Sequence, residues 1–437
     1  MVAVPVLLSA GTAVAAPDHG TGRGSISLVS ISLAGTTGNG LSDIPQVSAN
    51  GRYVAFVSLA SDLVPGDTNG EQDAFVRDLR THTTTRISVS SDGAQGDHRV
   101  YSNGLSITPD GRYVTFVSLA GNLVPGDTNE NWDVFVRDRW THTTSRVNVS
   151  STGEQGNANS GLAGASISAS GRYVTFESVA STLVPGDVLG TSDIFVRDRW
   201  AGTTTRLSVA TDGTPANNIS TNPVISWNGR YVAYNSYATN LVPGDTNGDY
   251  DVFVRDRLAD TTTRINLSST GAQANGRSMG GLAISATGRY VAFTSEASNL
   301  VPGDTNNVSD GFVRDRLTGT TTRTSVSSTG AQADRLTTYL QGMSPDGRYI
   351  VFYTDATNLV PGDTNDVWDI FRHDRRTGTT IRVSVGPHGE QANGPNAPAT
   401  VSGDGSVVAF GTKATNLVPG ISDTNNTWDI VVRRRTH

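Results

Sequence analysis

The chain has 437 residues, a formal net charge of −7 and 17% charged residues. That balance excludes a nucleic-acid surface, which needs clustered lysine and arginine; Lys413 is the sole lysine. Cysteine is absent, which excludes disulfides, thiolate chemistry and zinc–cysteine sites.

In chain order, the first feature is an apolar run, Val2 to Ala16, ending in Ala13-Val14-Ala15-Ala16. It has the hydrophobic core and small-residue cleavage site of a secretory signal, but no basic residue precedes Arg23. Residues 1–24 are therefore expected to be a truncated signal peptide or a flexible leader. Residues 25–437 follow as one exported domain, in the cell envelope or outside it. No later stretch approaches the ~20 apolar residues of a membrane-spanning helix.

From there the chain repeats itself. A phrase like Gly-Arg-Tyr-Val-Ala-Phe recurs with its glycine at Gly51, Gly111, Gly171, Gly229, Gly288, Gly347 and Gly405. Leu-Val-Pro-Gly keeps step, starting at Leu63, Leu123, Leu183, Leu241, Leu300, Leu359 and Leu417. Units that cannot bury their own faces must stack on their neighbours. In the second unit, Ser102–Thr108 is a half-apolar strand and Pro109-Asp110-Gly111 a turn. Arg112–Val117 is a β-branched and aromatic strand, Leu123–Asn131 a loop, Asp133–Arg139 a third strand and Thr144–Ser150 a fourth. We name these strands A to D, from inside to outside. Threonine-rich D strands, such as Thr83-Thr84-Thr85, read as solvated rims, and the recurring Arg77-Asp78 and Arg255-Asp256 as cross-strand charge pairing.

The last copy ends on strand C, at Trp428–Arg435, while Ser25–Leu33 reads as a D strand. Pairing the two closes a ring and removes its open edges. The fold expected is all-β: a seven-bladed β-propeller with four antiparallel strands per blade, closed by its N-terminal strand.

The fragments Thr108-Pro109-Asp110-Gly111-Arg112-Tyr113-Val114-Thr115-Phe116 and Ser344-Pro345-Asp346-Gly347-Arg348-Tyr349-Ile350-Val351-Phe352 resemble PD40 repeats. Over its length after the leader the chain resembles the TolB-like, WD40-like propellers. That resemblance implies the fold and no single activity, because the family spans envelope scaffolds, peptidase propellers and sugar-acting enzymes. The chain departs from the WD40 pattern: Trp132-Asp133, Trp368-Asp369 and Trp428-Asp429 precede strand C rather than end it. Repeats longer than the ~40–45 residues of a WD40 unit put their surplus in the B–C and D–A loops. Both emerge on one face, where binding is expected.

After each Leu-Val-Pro-Gly stands a recurring oxygen-rich set. The sets are Asp67/Asn69/Asp73, Asp127/Asn129/Asp133, Asp245/Asn247/Asp251, Asp304/Asn306/Asp310, Asp363/Asn365/Asp369 and Asp423/Asn425/Asp429. Hard oxygens at alternate positions with a later carboxylate are what Ca²⁺ prefers. The same residues also cap turns through their own side chains, so a calcium site and a structural turn both remain open. The third unit keeps Asp187 and Asp193 but has Val188-Leu189-Gly190 between them.

Trp132, Tyr250, Trp368 and Trp428, beside the last aspartate of their sets, read as inter-blade core rather than as sugar platforms. Unique residues on a repeating scaffold carry specificity, which selects His98, Arg99, Tyr101, Arg335 and Tyr339 of the D–A loops as ligand contacts. No nucleophile–base set can be assembled, and Glu177 and Glu296 in B strands are the one asymmetric carboxylate pair. The function expected is a monomeric binding or scaffold propeller for a protein or glycan. A carbohydrate lyase or hydrolase using channel carboxylates is the alternative, and a TolB-like periplasmic partner the third.

Overall fold

The structure is a computed structural model, and it describes residues 24–187, 190–335, 339–421, 423 and 425–435. The leader apart from Gly24, the Val188-Leu189 departure in the third unit, and Leu336 to Thr338 of one D–A loop lie outside the described residues. The described residues form 28 strands, β1 to β28 in chain order, and no helix. They make seven sheets of four antiparallel strands. The first blade is typical: β2 (Ser42–Val47), β3 (Tyr53–Ser58), β4 (Asp73–Asp78) and β5 (Thr83–Arg86), serving as strands A to D. The last sheet runs β1 (Gly24–Leu28), β28 (Asp429–Arg435), β27 (Val407–Thr412), β26 (Asn396–Val401). N-terminal and C-terminal strands therefore share one sheet, in register from Gly24 opposite Arg435 to Leu28 opposite Val431. The expected ring closure is present.

The D strands are shorter than the sequence implied. In the second blade only Thr143–Arg146 pairs as a strand, because the chain then turns and Val149 bridges Gln155.

Each residue of the Gly-Arg-Tyr-Val-x-Phe phrase has its own task. The valine and phenylalanine are fully buried, and Phe116 stacks on Phe135 of strand C with ring centroids 5.6 Å apart. The tyrosine reaches the next blade. Gly229 sits at φ +73° and a Cβ there would lie 2.4 Å from the Tyr173 ring, so only glycine admits the neighbour's tyrosine. That ring lies between two guanidinia, with Arg172 4.8 Å and Arg257 4.0 Å from its centroid. The arginine of the phrase reaches the strand C aspartate: Arg52–Asp78, Arg172–Asp198 and Arg289–Asp315 close to 2.6–2.7 Å. The expected cross-strand charge pairing is thus met by the aspartate of each Arg-Asp pair, and its partner is the arginine of the phrase. Successive strand residues point to opposite faces, and Arg77 instead donates to Thr84 Oγ1 at 2.9 Å.

Candidate binding face

The B–C and D–A loops meet on one face, hereafter the loop face. Each Leu-Val-Pro-Gly loop is pinned by its leucine, which is buried in every blade. The following aspartate then points back at the end of strand D. There an arginine stands between the two carboxylates of the set: Arg86, Arg146, Arg206, Arg264, Arg323 or Arg382. Its guanidinium nitrogens lie 2.8–3.9 Å from the twelve carboxylates in these six blades.

The asparagine of each set is turned the wrong way for a metal ligand. A ligating asparagine offers its carbonyl oxygen to the ion, whereas here the amide nitrogen faces the carboxylate. Asn69 Nδ2 donates to Asp73 at 3.3 Å, Asn129 to Asp133 at 3.2 Å and Asn247 to Asp251 at 3.0 Å. Asn306 donates to Asp310 at 3.1 Å and Asn365 to Asp369 at 3.0 Å. The same amides reach the D–A loop carbonyls of Gly96, Gly156, Ala274, Ala333 and Ala392, and Asn425 donates to Gly38 O at 2.6 Å. The carbonyl oxygens of Asn69, Asn129, Asn247 and Asn425 accept the backbone N–H two residues on, at 2.9–3.2 Å, which makes each an Asx turn. Further donors fill the carboxylates. Gln95 Nε2 donates to Asp67 at 2.9 Å and Asp73 at 3.1 Å, and Ser325 Oγ donates to Asp310 at 2.5 Å.

The carboxylates that these loops would offer to calcium are engaged with a guanidinium in six blades. Asp67/Asn69/Asp73, Asp127/Asn129/Asp133, Asp245/Asn247/Asp251, Asp304/Asn306/Asp310 and Asp363/Asn365/Asp369 surround a resident guanidinium and staple loop to strand. Among the described residues no three His, Cys, Asp or Glu side chains converge as a metal site would. The arginine was visible in the sequence as the residue closing each Thr-Thr-x-Arg phrase; reading that phrase only as a solvated rim hid it.

Two carboxylates share one cation in a dry loop, so one of them is held back from ionising. Burial pushes Asp127, Asp193 and Asp363 up to about 6. The seventh blade, with Asp423/Asn425/Asp429, differs. Its D strand comes from the N-terminus, where Leu28 stands at the arginine's position. Asp429, 5% exposed, accepts from Ser30 Oγ at 2.9 Å and is pushed up to about 6, by burial first and Asp423 nearby. A cavity of about 20 Å³ adjoins these two carboxylates, Leu28 and Thr37.

Nearer the axis, the loop face carries aromatic rings, each beside a cation or a second ring. Trp132 takes Tyr101 edge-on at 5.2 Å and Arg99 over its ring at 5.4 Å. Tyr250 takes Tyr237 at 5.2 Å and Arg277 at 5.4 Å. Tyr353 stacks on Tyr339 at 5.0 Å and meets Trp368 at 5.5 Å. Lys413 lies 5.5 Å over Trp428. Tyr237, Tyr339 and Trp368 are 38%, 37% and 42% exposed, and Trp132, Tyr250 and Trp428 are half-buried. Of the residues expected as inter-blade core, Trp132 is half-buried against the cluster that joins blades two and three, whereas Trp368 stands exposed. They precede strand C by one residue, so they stand at the loop rim, while phenylalanine and valine fill the space between blades.

Three of the five D–A loop residues selected from sequence lie in these clusters: Arg99 and Tyr101 beside Trp132, and Tyr339 beside Tyr353. Arg335 binds Asp366 at 2.9 Å, two residues before Trp368. Exposed His98 pairs with Asp97 at 3.3 Å. Sequence reasoning missed Tyr237, Tyr353 and Lys413, which differ from their counterparts in other repeats, and Arg277, which repeats Arg99 at the same position.

The axial channel opens between the clusters, with a cavity of about 330 Å³ lined by strand A residues such as Gln46, Asn103, Asn222 and Gln341. Its described lining holds no ionisable side chain. Glu177 is buried off the channel, accepting from Ser192 Oγ at 2.8 Å and Ala163 N at 3.1 Å. Glu296 is exposed. They sit at different register positions of blades three and five, and no shared site brings them together.

No family model and no curated protein matches the sequence. Among solved structures, an oligogalacturonate lyase from Vibrio parahaemolyticus aligns with TM-score 0.54 and 10% identity, over 94% of this chain and 98% of that one. The β-propeller domain of the trilobed protease from Pyrococcus furiosus aligns with TM-score 0.51 and 9% identity, over 91% and 96%. TolB from Acinetobacter baumannii aligns with TM-score 0.41 and 14% identity, over 80% and 65%. At such identities the likeness is one of fold, and the class it defines is the seven-bladed β-propeller.

Proposed function

We propose that this chain is an exported, monomeric binding propeller of the cell envelope or its surroundings, taking a glycan on its loop face. The observation that carries the reading is the set of half-exposed rings, each beside a cation or a second ring, around the channel mouth. A sugar ring covers an exposed aromatic face, while guanidinium or ammonium groups donate to hydroxyl or carboxylate oxygens. Loops held by buried ion pairs keep these rings in place before ligand arrives, which lowers the cost of ordering. That a lyase acting on oligogalacturonate shares the scaffold supports the reading at the level of fold only. Catalysis by channel carboxylates finds no ionisable group in the described lining. Calcium has its remaining place in the seventh blade, at Asp423 and Asp429, because arginine supplies the cation in the other six.

The test is binding to a panel of neutral and acidic polysaccharides, with the reaction mixtures assayed for new reducing or unsaturated ends. The double variant Trp132→Ala/Trp368→Ala should lose at least about tenfold in affinity, roughly 1.4 kcal/mol, and Trp368→Ala alone, at an exposed ring, should weaken binding at unchanged Tm. Undiminished binding by the double variant would sink the proposal, and chain cleavage by the wild type would replace it with the enzymatic reading.

A further inference from the structure

The opposite face, formed by the A–B and C–D turns, carries a second pattern that the glycan reading does not use. Two residues after the strand C aspartate, each C–D turn presents one side chain. From blade one to blade six these are Arg80, Trp140, Trp200, Leu258, Leu317 and Arg376. In every case the backbone N–H donates to that aspartate's Oδ1, at 2.9–3.1 Å. The six turns therefore share one geometry, and pseudosymmetry sets the six side chains at one level around the ring. The middle four are strongly exposed: Trp140 61%, Trp200 66%, Leu258 77% and Leu317 75%. Four neighbouring blades thus hold apolar tips in one plane, with an exposed arginine at each end of the arc.

Charge is divided in the same way. On the loop face each staple sets two carboxylates against one guanidinium, as with Asp127, Asp133 and Arg146. On the turn face arginines outnumber aspartates. Asp138 pairs with Arg112 at 2.7 Å while Arg199 of the next blade stands over Tyr113 and donates to Gly171 O, and Asp256 pairs with Arg230 while Arg316 stands over Tyr231 and donates to Gly288 O. The chain is acidic as a whole, yet the A–B and C–D turns with the ends of the first six C strands hold thirteen arginines against ten aspartates, the exposed Asp110, Asp260, Asp346 and Asp404 included. Arg112 and Arg172 also lie over the exposed rings of Trp140 and Trp200, at 4.7 and 5.2 Å.

We infer that the turn face docks on a lipid bilayer carrying anionic headgroups. A protein partner would concentrate its apolar contact in one central, fully desolvated cluster. Here the apolar side chains stand singly, one per blade, with threonine-rich D strands between them. A flat, deformable, amphiphilic partner meets all four at once. Tryptophan settles at the headgroup level, leucine reaches the acyl boundary, and the exposed Arg80 and Arg376 at the ends of the arc meet anionic headgroups. Docked this way, the glycan face points away from the membrane.

The experiment uses the full chain with phosphatidylcholine vesicles, with and without about one third phosphatidylglycerol. Sedimentation measures partitioning, and quenching by brominated lipid reports tryptophan insertion. Binding is expected on the anionic vesicles, weakening with salt. Trp140→Ser/Trp200→Ser should lower partitioning by about tenfold or more and abolish the quenching, at unchanged Tm because both rings are exposed. The loop-face variant Trp132→Ala/Trp368→Ala should partition like the wild type. Absence of binding to anionic vesicles, or full retention by the turn-face variant, overturns the inference. So does light scattering that shows a wild-type dimer converted to monomer by the same substitutions, without vesicle binding.

Discussion

Replacing Arg146 by methionine tests whether the loop carboxylates are built around a guanidinium. The substitution keeps most of the side-chain volume and removes the charge between Asp127 and Asp133, now 2.8 and 3.1 Å from Nη1. Arg146, Asp127 and Asp133 are 10%, 6% and 0% exposed, so water does little to screen what remains. Breaking a buried pair by deleting one partner costs about 3–5 kcal/mol. For a domain of about 400 residues unfolding as one unit, the unfolding entropy is about 0.9 kcal/mol per kelvin, so Tm should fall by about 3–6 °C at pH 7.5. The loss must also depend on pH. Without the guanidinium, Asp127 titrates still further above its unfolded value. The folded variant then binds a proton that the unfolded chain does not, and its stability is greatest below the unfolded pKa. That stability disappears as pH rises through the raised value. The deficit against the wild type should therefore shrink to about 1 kcal/mol near pH 4.5. Paired thermal and denaturant melts at the two pH values read this directly. A deficit below about 1 kcal/mol at pH 7.5, or one equal at both pH values, would refute the staple.

The wild type should itself melt higher near pH 5 than at pH 7.5. Asp127, Asp193, Asp363 and Asp429 titrate at about 6, and their contribution is lost as pH rises through that value. Below about pH 3.5 the trend should reverse. Asp198, Asp256 and Asp315 are held down to about 2 by hydrogen bonds from Arg172, Arg230 and Arg289, and that stability goes as pH falls towards 2. Gly229→Ala should cost about 2–4 kcal/mol in denaturant melts, because it adds left-handed strain to a clash with Tyr173. Gly244→Ala, equally left-handed at φ +71° but with nothing within 4 Å of its Cβ, should cost only the strain, about 1 kcal/mol. Calcium against chelator should move Tm by the contribution of one site at most, and Leu28→Arg should remove whatever shift is seen.

The blade plan was legible in the sequence because each repeat states it again. The split seventh blade followed from a copy that ends on strand C and a lone D strand before the first copy. What the sequence left hidden was pairing between distant positions. Asp133 and Arg146 are thirteen residues apart in different strands, and nothing in the Asp-x-Asn spacing says that a guanidinium rather than a metal stands between the carboxylates. Nor does it say which end of Asn69 or Asn306 faces them. The tryptophans preceding strand C were misjudged in part, for a related reason. Composition says that aromatic residues fill blade interfaces, but in this chain the Gly-Arg-Tyr phrase already fills them, leaving Trp132 only partly inside and Trp368 at the rim.

Repetition also separates structure from recognition. Residues that recur in nearly every blade hold the ring: the pinned leucine, the glycine under a tyrosine, the arginine between two aspartates. Positions whose register is constant but whose identity changes have no such duty. Position 132 and its counterparts read Gln72, Trp132, Ser192, Tyr250, Ser309, Trp368 and Trp428, and they occupy the rim of the loop face. Position 140 and its counterparts run from Arg80 through two tryptophans and two leucines to Arg376, and they occupy the tips of the turn face. A propeller that needed only to fold would gain nothing from the exposed rings of Trp140, Trp200 and Trp368. The exposed Trp368 of the first set and Trp140, Trp200, Leu258 and Leu317 of the second are therefore the positions at which the two proposed contacts are to be tested.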